Sequence, residues 1–526
     1  MLYMKKSYAI KSFVSLAVSF CFVFMQAAFA FGFSSVRVAK NNTDFAIRSA
    51  DIINSYNTSK NKNQPDSAGE MLRIIGRTSV KNYSFAGFGA SAAVVGTDGR
   101  FLLQFSNKNA FDKCLAYLNS DPEIEYAEKD RIVYTCASEG EETADLSWGV
   151  DALKVDGYAE SIQPSDGASV TVAVVDSGVA AVDFVKDKLI EGYDFVKNEK
   201  GGAIDESVDS HGTFLASIIT DCVKNAPVNI MPVRVLYSRT GSLANAVNGI
   251  YYATDNGADV INVSLGGVLN NCKSLDNALA YADSKNASVV VCAGNSKSDI
   301  YNYCPAHNES AITVTAVDES LVFAADFMPD SGSEYGSNYG SAVDVCAPGV
   351  NITGYGADGN TKILNGTSMS AAFISACAAL FRLEYPGCNT YQIQQAIKDS
   401  CTDLGTAGFD VYYGYGLPEM SKITYVEIRI TDVKIKSYPQ KTVYTYKVDE
   451  NINLSGLALE VTYSDGSVVT VSDTSLMSVT GYSSTTAGDQ TVTVEYEGFT
   501  VQYGVRVEYV WWQWIIRILL LGFLWY

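Results

Sequence analysis

Between about Ser147 and Ile423 the chain alternates two textures. "SVTVAVVD" (169–176), "VNIMPVRVL" (228–236), "ADVINVSL" (258–265) and "SVVVCAGN" (288–295) are apolar at nearly every position and rich in Val and Ile. Such runs fit strands buried on both faces of a parallel sheet. Stretches of helical period lie between them, such as "SLANAVNGIYYATDNG" (242–257). The alternation predicts an α/β domain over 147–424, a doubly wound and mostly parallel sheet with its site at the carboxyl ends of the strands.

The flanks read differently. Before this domain, "GRFLLQF" (99–105) reads as a strand, "NAFDKCLAYLNSDP" (109–122) as a helix stopped by proline, and "IEYAEKDRIVY" (124–134) as a returning strand. A small α+β domain is expected over 31–146, ordered from about 71 to 135. The polar run "TCASEGEETADL" (135–146) then suits an exposed, cleavable linker. After the α/β domain, helical period disappears. "LALEVTYSDGSVVTV" and "QTVTVEYEGFTVQYGVRV" alternate polar and apolar residues around Asp-Gly and Glu-Gly turns, which predicts an all-β sandwich over 425–508.

Both ends are apolar. Lys5, Lys6 and Lys11, an apolar run from Phe13 to Met25 and the small-x-small Ala28-Phe29-Ala30 form the three-part pattern of a signal peptide over 1–30. Export to the outside of the cell or its surface is therefore expected. The tail "YVWWQWIIRILLLGFLWY" (509–526) brackets an aliphatic centre with aromatic rings. It is a little shorter than the ~20 residues that span a bilayer. Arg517 in its middle costs about 2.5–3.5 kcal/mol on insertion scales, which nine aliphatic or Phe residues about cancel. Two readings stay open: a membrane anchor, or an element docked on the protein.

The formal charge of the 526 residues is −20, and charged residues make up 18% against 47% hydrophobic. An acidic surface repels phosphates, which argues against a nucleic-acid partner. Eleven cysteines are present and export permits disulfides. Pairing is not set by sequence, and Cys272 with Cys304 or Cys388 with Cys401 are candidates. Cys292 and Cys377 sit in apolar runs and read as small core residues. No CxxC or Cys/His cluster appears, so no zinc site is expected.

Candidate chemistry narrows quickly. The chain has two histidines, and His211 in "DSHGTFLASII" opens an apolar helix. Asp176 ends the buried run "VTVAVV", where a carboxylate reaches a site at the strand ends. Ser368 in "LNGTSMSAAFISACAALF" stands at or beside a helix start, where backbone N–H groups and the positive dipole end stabilise an oxyanion. An N-cap serine would look the same. Asn295 follows "SVVVCAG", where its amide is either a second oxyanion donor or a turn asparagine.

Taken in order, "VVDSGV", "HGT", "DVINVSLGG", "VVVCAGN", "CPA" before "AITVTAV", "APGV", "NGTSMSAA" and "YGYGLPEM" resemble the subtilisin-like serine proteases from about Trp148 to Met420. The resemblance implies a serine endopeptidase acting on proteins or peptides, with Ser368 as nucleophile, His211 as general base and acid, and Asp176 orienting it. It implies Asn295 and the Ser368 N–H as oxyanion donors. Ser264, Leu265 and Gly266 would be the strand that pairs with substrate, and Ala293 and Gly294 walls of the first specificity pocket. "FLLQFSNKNAFDKCLAYLNSDPEIEYAEKDRIVYT" resembles the second half of the propeptide that chaperones and inhibits such enzymes, which implies a cut between about Thr135 and Ser147. "VTYSDGS" and "TGYSSTTAGDQTVTVEYEG" resemble bacterial Ig-like repeats, as a spacer or an adhesive module.

The pattern also departs from the family. Phe214 and Ser217 replace a histidine and a glycine, and Ala372, Phe373 and Ala376 replace a proline, a histidine and a glycine; these read as repacking where two helices cross. The segment "TDCVKNAPVNIMPV" lacks the longer loop that builds a calcium site in many relatives, so no cofactor or metal is expected there, and calcium elsewhere stays open. Two alternatives to a general endopeptidase remain at this stage: an idle adhesin using the Ig-like module, or a processing protease with one partner substrate.

Overall fold

A computed structural model describes residues 36–38, 45, 71–80, 83–85, 87–139, 148–165, 167–201, 204–269, 272–327, 335–425, 429–464 and 466–523. The expected signal peptide, most of 31–70 and the second half of the expected linker lie outside the described residues. The chain divides into two compact units, Met1–Thr424 and Tyr425–Tyr526.

The first unit is built on a parallel sheet. Among the described residues its strand order is Glu199–Gly201, Gly192–Asp194, Val228–Arg234, Val170–Asp176, Val260–Val263, Ser288–Cys292, Ala311–Val317 and Val345–Pro348. Every pairing from Gly192–Asp194 onward is parallel, and only Glu199–Gly201 runs antiparallel. Val170–Asp176 comes first in sequence yet lies between Val228–Arg234 and Val260–Val263, so the strand order reverses on it. That reversal opens a crevice at its carboxyl end, where Asp176 stands. The runs read as strands are buried at nearly every position, as residues packed on both faces must be; Thr171 and Asn229 are partly exposed.

Helix His211–Val223 packs on helix Thr367–Glu384, which lies along the sheet strands; helices Leu243–Asp255 and Lys273–Ser284 form a second packed pair. The replacements at the first crossing have identifiable neighbours. A Cβ on Gly354 would meet Ser217 Oγ at 2.8 Å and Phe214 at 2.9 Å, and one on Gly149 would meet Phe373 at 2.4 Å. The larger rings thus fill space that these two glycines leave open. Ser217 Oγ also accepts a hydrogen bond from Tyr355 N–H at 2.9 Å.

A small α+β layer precedes this sheet. Strands Val36–Val38, Ala92–Val95, Arg100–Gln104, Arg73–Thr78 and Ile124–Lys129 make one sheet, in that order. Helix Lys108–Leu118 inserts Phe111, Cys114 and Leu118 into its core beside Ile74, Phe101 and Leu103. The stretch 124–134, expected as one strand, is two: Ile124–Lys129 and Ile132–Thr135. The break falls at Asp130, whose buried carboxylate holds Arg73 Nε at 2.7 Å and accepts Ala244 N–H at 3.0 Å. Two residues earlier, Glu128 accepts Ser274 N–H at 2.9 Å. These carboxylates therefore cap the first turns of Leu243–Asp255 and Lys273–Ser284, where unpaired N–H groups and the helix dipole favour negative charge. Arg100 adds a cation over the Tyr251 ring at 3.6 Å. The layer is docked on two helix N-termini, and the chain leaving it is aimed at the crevice.

The second unit is all β up to its last segment. One sheet holds Ile430–Ser437, Ala458–Tyr463 and Val468–Val471, and the other holds Val443–Thr445, Phe499–Glu508, Gly488–Tyr496 and Ser478–Thr480. Val433, Leu459, Val461, Val492, Val494 and Tyr503 share their core. Helix Trp511–Phe523 follows, with Gln513 donating to Tyr446 O at 2.8 Å and the Tyr509 ring tilted against Tyr446 and edge-on to Trp514. Its 13 residues extend about 20 Å, against about 30 Å of bilayer core. Among the described residues no helix is long and apolar enough to cross a membrane.

Removing the Asp130 carboxylate leaves Arg73 buried without its counter-ion. Asp130→Ala should cost about 3–5 kcal/mol, and Glu128→Ala, which loses one cap, about 0.5–2 kcal/mol. Urea unfolding of the Ser368→Ala chain measures both; equal small losses would mean the layer is held by apolar contacts alone.

Candidate active site

Asp176 and His211 meet at the carboxyl end of Val170–Asp176. Asp176 Oδ1 accepts Ser177 N–H at 2.7 Å and lies 2.8 Å from His211 Nδ1, with both side chains fully buried. His211 is the first residue of its helix, and the capping residue Ser210, in a left-handed conformation, gives no side-chain cap. The first N–H groups find other partners: His211 N–H on Ser207 Oγ (3.0 Å), Gly212 N–H on Ser177 Oγ (2.9 Å) and Thr213 N–H on Asp205 (3.0 Å). These contacts fix the helix end from which the imidazole projects.

Burial alone would push the His211 imidazole down. The Asp176 carboxylate, its hydrogen bond and the more distant Asp209 outweigh this and set it at about 8. Nδ1 is engaged with Asp176, while Nε2 has no hydrogen-bond partner among the described residues.

Ser368 is the second residue of helix Thr367–Glu384 and is fully buried. Its Oγ donates to the Cys136 carbonyl at 2.7 Å and its backbone N–H points to the same oxygen at 3.4 Å. Asn295 lies beside it. Its Oδ1 accepts both Thr367 N–H (3.1 Å) and Thr367 Oγ1 (2.9 Å), which turns the amide NH₂ the other way. A Cβ on Gly366 would stand 2.2 Å from Cys136 O and 2.7 Å from Asn295 Nδ2, so glycine at φ +143° keeps that corner open. The Cys136 carbonyl thus sits among the Ser368 hydroxyl, the Ser368 N–H and the Asn295 amide.

The segment that delivers Cys136 is extended. Ile132–Thr135 pairs antiparallel with Thr240–Ser242 on one side and Leu265–Val268 on the other, with Thr135 opposite Leu265 and Tyr134 opposite Gly266. Past the site, Ser138 and Glu139 pair with Asn365 and Leu364. The Cys136–Ala137 peptide bond lies between these two strand additions.

The other expected binding residues occupy distinct places. Leu265 and Gly266 pair with the segment, and Ser264 carbonyl lies 3.3 Å from Ser368 Oγ. Gly294 faces the Tyr303 ring, and its N–H donates to Thr367 Oγ1 at 3.0 Å. The backbone groups of Ala293 bond Val314 and Asn338. Cys136, Tyr303, Gly366 and Thr367 received no role from the sequence, although Gly366 and Thr367 lie within the motif "NGTSMSAA" around Ser368.

Residues 167–416 match the Subtilase family and 437–507 match the Bacterial Ig-like domain (group 3). The thermophilic serine proteinase of Bacillus sp. (strain AK1) is 32% identical over 62% of this chain and 78% of its own length. The chain belongs to the subtilase family. Subtilisin DY of Bacillus licheniformis is 32% identical over 52% of this chain and 96% of its own. The alkaline serine exoprotease A of Vibrio alginolyticus is 32% identical over 53% of this chain, which spans about half (52%) of that relative. This subtilase thus joins a subtilisin-like serine endopeptidase domain to an Ig-like domain.

The fold also gathers what the sequence did not show. Cys272, Cys304 and His307 bring their donor atoms within 4.8 Å of one another, a Cys/His cluster hidden by their separation in the chain. Cys272 and Cys304 are joined in a disulfide, which occupies both sulfurs, and His307 Nε2 turns to Asp276 at 3.4 Å. Cys388 and Cys401 are not disulfide-bonded.

Asp176→Asn removes the charge that outweighs burial. The His211 pKa should then fall well below 8, measured by imidazole NMR titration of the Ser368→Ala chain; an unchanged value would place the cause elsewhere.

Proposed function

We propose that this subtilase is an exported serine endopeptidase, made as a zymogen that cuts its own Cys136–Ala137 bond. The observation that carries the reading is the Cys136 carbonyl held on Ser368 Oγ at 2.7 Å within a segment paired on both sides like a substrate. The layer 71–135 is read as the propeptide, and it stays in the crevice until the bond is cut.

In this reading Ser368 Oγ attacks the Cys136 carbonyl carbon while His211 Nε2 takes its proton. The oxyanion that forms is held by the Ser368 N–H and the Asn295 amide. Collapse breaks the bond to Ala137, whose amine receives the proton from His211. Water, deprotonated by His211, then hydrolyses the acyl-Ser368 ester. Asp176 keeps Nδ1 protonated and stabilises the imidazolium. External proteins or peptides would bind as the 132–139 segment does. An idle adhesin would need none of these contacts.

Export rests on the N-terminal pattern of 1–30. The exposed rings and aliphatic side chains of Trp511–Phe523, among them Trp511, Ile518 and Leu519, fit a helix lying on a membrane surface. The Ig-like domain is read as the spacer between this helix and the protease.

Purified precursor should release a fragment whose new N-terminus is Ala137 and should label with a fluorophosphonate, while Ser368→Ala should do neither. Absence of both in a folded wild type would overturn the reading. Asn295→Ala should slow cleavage about a hundred- to a thousand-fold with little change in fold. Since His211 must be neutral to accept a proton, the self-cleavage rate should climb as pH rises through about 8. A flat profile from pH 6 to 9 would exclude His211 as the base.

A further inference from the structure

The side chain preceding the scissile bond enters a pocket beside the strands Leu265–Val268 and Ser288–Cys292. In this chain that side chain is Cys136, only 2% exposed. Its Sγ stops 3.3 Å from the Tyr303 hydroxyl, with the buried Cys292 thiol within hydrogen-bonding reach. The Tyr303 ring is wedged between two glycines of the walls. A Cβ on Gly266 would lie 2.9 Å from Tyr303 Cε1, and one on Gly294 2.5 Å from Tyr303 Cζ. The wedge is held in place. Tyr303 and Cys304 form a strand paired to Gly267 and Val268, and Cys304 is bonded to Cys272. Tyr303 is only 6% exposed with the segment in place.

We infer that Tyr303 closes the first specificity pocket, so that this protease cleaves after residues with small side chains such as Cys, Ser and Ala. The inference rests on the endopeptidase reading above and names its substrate class. Sγ is the first atom beyond Cβ, and at 3.3 Å from the hydroxyl it leaves no space for another heavy atom in that direction. A Leu, Phe or Lys side chain would have to displace a buried ring in a closely packed wall. The hydroxyl also supplies a hydrogen-bond partner for a Ser or Cys side chain, which an apolar residue leaves unpaired. The precursor's own cleavage position satisfies this rule.

The test uses the full-length precursor and the enzyme it releases. Peptides that differ only in the residue before the cut (Ala, Ser, Cys, Leu, Phe or Lys) should show kcat/KM for the small residues exceeding that for the large ones by roughly ten- to two-hundred-fold or more. Tyr303→Ala should raise kcat/KM for Leu and Phe by a similar factor. Within the precursor, Cys136→Ser should still self-cleave, Cys136→Phe should not, and adding Tyr303→Ala to Cys136→Phe should restore the cut. Fluorophosphonate labelling separates the two readings. A wild type that labels but cleaves after Phe or Leu as readily as after Ala overturns the pocket inference alone; one that neither labels nor cleaves overturns the protease reading and this one with it. If Tyr303→Ala does not fold, the wild-type peptide panel and the Cys136→Phe precursor still decide.

Discussion

A parallel sheet has one property on which this site depends: all its strands end on the same edge. Asp176 ends the strand at which the order reverses, and Asn295 lies three residues past the end of Ser288–Cys292. A parallel crossover usually returns through a helix, so helix N-termini are delivered near this edge as well. His211 starts the helix that leads back into the sheet at Val228–Arg234, and Ser368 lies in the first turn of Thr367–Glu384, which follows the sheet's last strand in sequence. Residues as far apart as Ser264 and Ser368, 104 positions, thus meet without any local motif joining them. The placement follows from the layering: strand ends supply the Asp176 carboxylate and the Asn295 amide, and helix starts supply the His211 imidazole, the Ser368 hydroxyl and N–H groups that favour negative charge.

Within the crevice, burial changes what each group can do. Removing water strengthens the attraction between Asp176 and His211, and this outweighs the cost of burying a charged imidazole. The same burial demands partners for every polar atom. Asp205, Ser177 and Ser207 meet that demand at the His211 helix start, while Thr367 meets it for one end of the Asn295 amide. These residues touch no reacting atom, yet they settle where the reacting atoms lie.

The layer before the protease domain solves a positioning problem of its own. Glu128 and Asp130 lie two apart on one edge of its sheet and accept N–H groups from the first turns of two neighbouring helices. Six residues beyond Asp130 stands Cys136. Docking on the helix ends therefore sets the register of the extended segment, which backbone pairing on both sides then holds. Side-chain pattern has little influence over such pairing, since it is made by main-chain groups.

Much of this was legible in the residues themselves. Continuous Val and Ile runs announced a buried parallel sheet because no polar face is available to such strands, and period-two alternation announced the all-β unit for the opposite reason. The order of Asp176, His211, Asn295 and Ser368 was readable because their flanks are local: strand ends, helix starts and glycine turns leave short signatures. What stayed hidden depends on distant surfaces meeting. The break at Asp130 follows from Arg73 and Ala244, which lie 57 and 114 positions away. The Cys272–Cys304 disulfide was one of two pairings the sequence left open, and the approach of His307 to it was not visible there. Cys136 and Tyr303 look like a linker cysteine and a loop tyrosine in the chain. Only the tertiary structure brings the Cys136 carbonyl to Ser368 Oγ and the Tyr303 hydroxyl to the Cys136 thiol, because such packing joins residues 167 positions apart and leaves no neighbouring pattern.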